Sequence, residues 1–80
     1  MTYKEFSHRA DLHGHAYRGH LIEDGDTCTE TVFENEVQVH NAVFPASNIR
    51  GASRREYLKV MTESIADQQR RQRVQLTGWK

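Results

Sequence analysis

Eighty residues, 36 % of them apolar and 28 % charged, make a single small domain over 1–80, near the size at which one thin core only just supports folding. No apolar run approaches the about 18 residues that a membrane span needs, "MTYKEFSHRAD" contains no signal-peptide core, and Cys28 is the one cysteine. The expectation is a cytoplasmic protein without a disulfide. The net charge of zero hides a split: residues 1–49 set Lys4, Arg9 and Arg18 against eight acids, a net of −5, while residues 50–80 set eight bases against Glu56, Glu63 and Asp67, a net of +5.

In chain order, "HRADLHGHAYRGH" comes first, with His8, His13, His15 and His20. An H-x-H pair on a strand places two Cα atoms about 6.5–7 Å apart on one face, so both imidazoles could reach one ion at roughly 2.0–2.1 Å. A complete site would need further ligands from His8, His20, His40, Asp11 or Cys28. Gly14 and Gly19 read as loop or bulge residues. The five residues "DLHGH" resemble the D-L-H-x-H signature of metal-dependent phosphoesterases of the polymerase-and-histidinol-phosphatase type. That resemblance implies metal ligation, but the family's remaining ligands come from a barrel of roughly 200 residues or more, for which this chain has no room. No metal or other cofactor is expected; solvated or structural histidines, or a pH-sensitive surface, are the alternatives.

From Ala16 to Phe44 the pattern is that of strands, near 16–23, 27–33 and 37–44. Asp24-Gly25 in "EDGD" is a two-residue hairpin signal, and Asn35 in "ENE" tolerates the left-handed backbone of a second turn. On the middle strand Thr27, Thr29, Thr31 and Phe33 alternate with Cys28, Glu30 and Val32. On the third, Val37, Val39 and Val43 share one side, with Gln38 and His40 on the other. This pairing of faces describes a sheet covered on one side. Pro45 ends the third strand and "PASNIRGA" is a loop.

"SRRE" at 53–56 is a capping box, with the Ser53 hydroxyl placed to accept the Glu56 amide, and a helix follows to about Arg73. Its apolar face, Leu58, Met61 and Ile65 with Tyr57 beside them, packs on the sheet against Val37, Val39 and Val43. "VQLTGW" at 74–79 could return as a short final edge strand. The expected fold is α+β: an antiparallel meander of three to four strands with one C-terminal helix across one face.

Two charged surfaces are candidates for binding. Glu23, Asp24, Asp26, Glu30, Glu34 and Glu36 place six carboxylates on one hairpin with no base among them, and like charges across strands repel. Either the helix arginines pair with them or a basic partner surface does. The alternative surface is Arg50, Arg54, Arg55, Lys59, Arg70, Arg71 and Arg73, a basic helix that could track phosphates. Cys28 sits among acids, which disfavour its thiolate. No phosphate loop, dinucleotide fingerprint or nucleophile elbow occurs, so catalysis is not expected. The reading is a non-catalytic protein-binding module, a monomer or small homo-oligomer with no membrane role. It acts through charge complementarity on a protein partner such as a nucleoprotein complex, in the manner of phage and mobile-element inhibitors, anti-CRISPR proteins among them. A small nucleic-acid-binding protein and a histidine metal protein are the alternatives.

Overall fold

A computed structural model describes residues 3–51 and 53–78, with side chains as far as residue 73. Four strands, β1 (Tyr3–Leu12), β2 (His15–Asp24), β3 (Thr27–Glu34) and β4 (Val37–Pro45), are followed by one 3-10 turn at Ala46–Asn48 and the helix α1 (Arg54–Gly78). The strands form an open antiparallel meander in the order β1-β2-β3-β4, and α1 packs on one face, mainly over β1 and β2.

Three two-residue turns make the meander. His13 and Gly14 both have positive φ, as do Asn35 and Glu36, the signature of type I′ turns whose twist matches that of the strands. The middle turn is Gly25-Asp26, with positive φ at Gly25 and Asp24 still paired to Thr27, so the hairpin falls one residue later than the Asp24-Gly25 reading. Asn35 also ties the last turn to the start of β2: its amide donates to the Ala16 carbonyl at 2.7 Å and its Oδ1 accepts the Ala16 amide at 3.0 Å.

The fourth strand lies at the N-terminal end of the chain, as β1, and the expected final strand at 74–79 is absent over 74–78, where α1 continues to Gly78. Val74, Gln75, Leu76 and Thr77 include no glycine or proline between Arg73 and Gly78, and helix formation propagates through them; residue 79 lies outside the described residues. The start of α1 is as expected, with the Glu56 amide donating to Ser53 Oγ at 3.1 Å.

The core joins Leu58, Met61, Ile65 and Ala66 of α1 to Tyr17, Leu21, Cys28 and Val32 of the sheet, with Ile49 from the loop. These helix positions, with buried Thr62, recur at three and four residues and form one face. Their expected partners Val37, Val39 and Val43 are largely displaced. β4 pairs Val32 with His40 but Phe33 with Gln38, so Val39 is an extra residue, a bulge that restarts the alternation. Beyond it His40, Ala42 and Phe44 face the helix side, while Val43, opposite Thr29, faces outward and is 63 % exposed. Val37 is exposed at the turn, and only Val39 packs against the core. Gly19 is neither loop nor bulge: it is buried in mid-strand, where it lets α1 approach β2 closely.

Candidate binding surface

Alternation along β2 and β3 sends Glu23, Glu30 and Glu34 to the face that α1 covers, and each meets a donor there. Arg54 approaches Glu23 with Nε at 3.1 Å and Nη2 at 3.4 Å, a two-pronged contact that holds the Glu23 carboxyl below its usual range. Glu30 is buried, and its two oxygens face the Tyr57 hydroxyl at 2.5 Å and His40 Nε2 at 2.7 Å. Burial, and then the Glu30 carboxylate, push the Tyr57 phenol up. Glu34 accepts from the Tyr17 hydroxyl and from Arg73 Nη2, the latter at 2.7 Å. Burial pushes the Glu34 carboxyl up, but these two donors outweigh it and leave it lowered.

The six carboxylates therefore do not form one surface. Three lie beneath the helix, Asp24 and Asp26 are exposed around the β2–β3 turn, and Glu36 is exposed at the opposite end of β3. The basic helix divides in the same way. Arg54 and Arg73 are turned inward onto Glu23 and Glu34, Arg50 donates to the Ser47 carbonyl and Arg55 lies over the Phe6 ring. Lys59 is separated from exposed Arg70 and Arg71 by about 16 Å of helix axis, with Glu63 and Asp67 between them in sequence. Part of the charge split of the sequence is thus spent in clamping α1 to the sheet near both ends of their contact, through the Arg54–Glu23 and Arg73–Glu34 pairs.

The histidines are held apart from one another. His13 Nε2 contacts Asp67 Oδ1 at 2.8 Å, His15 Nδ1 contacts Asn35 Nδ2 at 2.9 Å and His20 Nε2 lies 3.3 Å from Glu5. His8 is half-buried opposite Gly19. Among the described residues no three His, Cys, Asp or Glu side chains gather as a metal ion would require. Cys28 is fully buried, and burial followed by the Glu23 charge pushes its thiol up, which suits a small core side chain.

What remains open is the sheet face opposite α1. Cross-strand partners align there in rows: Arg9, Arg18, Phe33 and Gln38; Ser7, His20, Thr31 and Asn41; Glu5, Ile22, Thr29 and Val43. In the first row the Arg18 guanidinium lies 4.3 Å from the Phe33 ring centroid and its Nη2 is 3.4 Å from Glu36 Oε1. In the second, Asn41 Nδ2 donates to Thr31 Oγ1 at 3.0 Å. A concavity of about 310 Å³ is lined by Arg9, Asp11, Ala16, Arg18 and Glu36 together with their strand neighbours. Neither Arg9 nor Arg18 was singled out from sequence. The signal was there, because the two are equidistant from His13-Gly14 and become cross-strand partners once that dipeptide is read as a turn.

No helix among the described residues is long and apolar enough to cross a membrane. In comparisons with known proteins, no family model, no curated protein and no solved structure matches this chain.

Proposed function

We propose that this chain is a non-catalytic protein-binding module that uses the open face of its sheet, and that charge complementarity sets its specificity. The observation that carries the reading is the row of Arg9, Arg18 and Phe33 on a face with no second layer, beside a concavity of about 310 Å³. A small charged module of this kind fits an inhibitor by which a phage or mobile element blocks a host nucleic-acid-handling complex, as anti-CRISPR proteins do.

The test is site-directed photo-crosslinking in cells. A crosslinker at Thr31, in the middle of the open face, should trap a defined protein, whereas one at Lys59 on the exposed side of α1 should not. Crosslinks from Lys59 alone would make the helix the working element. A purified chain that shifts a DNA or RNA probe, with binding lost in Arg70→Ala and Arg71→Ala, would favour the nucleic-acid-binding alternative.

A further inference from the structure

We propose that Arg9 and Arg18 form a site for a carboxylate side chain, so that the partner docks through a single glutamate or aspartate of an extended segment of its own chain. This rests on the open face being the working surface. Two like charges directly opposite each other across a strand pair oppose folding, and Arg9 and Arg18 are such a pair, whereas Arg54 and Arg73 each hold a carboxylate beneath α1. Among the described residues, Arg9 has no hydrogen-bond or ion-pair partner. Its cross-strand neighbour is already oriented. Stacking on Phe33 occupies one face of the Arg18 guanidinium, and a guanidinium's donors lie in its plane at the edges. The Glu36 contact, at 3.4 Å to a carboxylate whose side chain is 78 % exposed, is the kind of surface pair that contributes little and yields to a better acceptor. A carboxylate entering the concavity between the two arginines would meet donors from both strands and relieve their repulsion.

The chemistry of the surroundings selects a carboxylate in a peptide over a phosphate chain. Asp11 and Glu36 line the same concavity and Glu5 lies further along β1, so the face suits an isolated monoanion and opposes a continuous run of phosphates. Single-stranded nucleic acid also needs successive exposed aromatic rings on which bases stack; on this face the Phe33 ring is capped by Arg18, and exposed Tyr3 stands at the far end of β1 from Arg9. Ser7, Thr29, Thr31 and Asn41 on the adjoining rows offer hydrogen bonds suited to an extended peptide.

The experiment uses the full chain, isotope-labelled for NMR and titrated with a terminally blocked peptide that carries a single glutamate between neutral residues; inorganic phosphate and oligo(dT) serve as separate probes. The Arg9 and Arg18 Nε–H signals and the backbone amides flanking them on β1 and β2 should shift. Arg9→Gln and Arg18→Gln should each weaken binding about tenfold, the scale of one charged hydrogen bond, while Lys59→Gln on α1 leaves it unchanged. Arg9→Gln should melt at or above the parent temperature, because it removes the repulsion with Arg18, which separates lost binding from lost folding. The proposal is overturned if the shifts fall on α1, if no shifts occur, if Arg9→Gln binds as the parent does, or if oligo(dT) or phosphate occupies the site as readily as the peptide. If the crosslink from Thr31 persists undiminished in the Arg9→Gln, Arg18→Gln double variant, the carboxylate site fails while the open face stands as the binding surface. Loss of that crosslink in the parent chain overturns the open-face reading itself.

Discussion

Gly19→Ala tests whether α1 rests on β2 as the structure has it. A Cβ at this position would stand 1.9 Å from Thr62 Oγ1 and 3.1 Å from both Thr62 Cβ and Leu58 Cδ1. The hydroxyl cannot easily give way, because Oγ1 donates to the Leu58 carbonyl at 2.7 Å and Thr62 is fully buried. Even with Oγ1 rotated aside, Thr62 Cβ is still too close, so the helix must lift. Overpacking of this kind costs about 1–3 kcal/mol, and the strand gains back roughly 0.5–1 kcal/mol when glycine becomes alanine. A net loss of about 1 kcal/mol corresponds to a fall in melting temperature of about 4–8 °C for a domain of this size. Calorimetry should find that fall in Gly19→Ala, and a smaller one when Thr62→Ala is the background, with a coupling of about 1 kcal/mol between the sites. A Gly19→Ala variant that melts within about 2 °C of the parent, or loses as much in the Thr62→Ala background, would refute this packing of helix on strand.

Glu36 holds a positive φ of 69° without being glycine or asparagine, so Glu36→Gly should raise stability by about 0.5–1 kcal/mol in a thermal melt, since its exposed contact with Arg18 contributes little. Glu30→Ala removes the acceptor shared by Tyr57 and His40 and should cost roughly 1–3 kcal/mol in chemical denaturation; a gain in stability would mean that relief of hairpin repulsion outweighs the network. The lowered Glu34 carboxyl contributes stability that is present above the ordinary glutamate pKa and is lost as pH falls through the folded value. Glu34→Gln should therefore flatten the acid side of the stability profile below about pH 4.3, and an unchanged acid limb would count against the Arg73 and Tyr17 contacts. Ser53→Ala should destabilise by about 0.5–2 kcal/mol, whereas Ser47→Ala should do much less; equal losses would move the start of α1.

The sequence by itself determined the α+β class, the three strands after residue 15, the Ser53 cap and the Leu58, Met61 and Ile65 face, because each depends on local rules: turn residues, alternation, capping and a period of three to four. It also held both resolutions of the charge split, an internal one and one supplied by a partner. Tertiary structure chose the internal one for Glu23 and Glu34, since only the path of α1 decides that Arg54 and Arg73 reach them. It alone decided the register of β4, because the extra residue at Val39 reverses every later side chain from one face to the other and leaves Val43 in solvent. The role of Gly19 is legible only when α1, with its Leu58 and Thr62, is laid across it. The Arg9–Arg18 pair belongs to the same class: each arginine is unremarked in its own stretch, and the hairpin folded about His13-Gly14 makes them neighbours on the face that nothing covers.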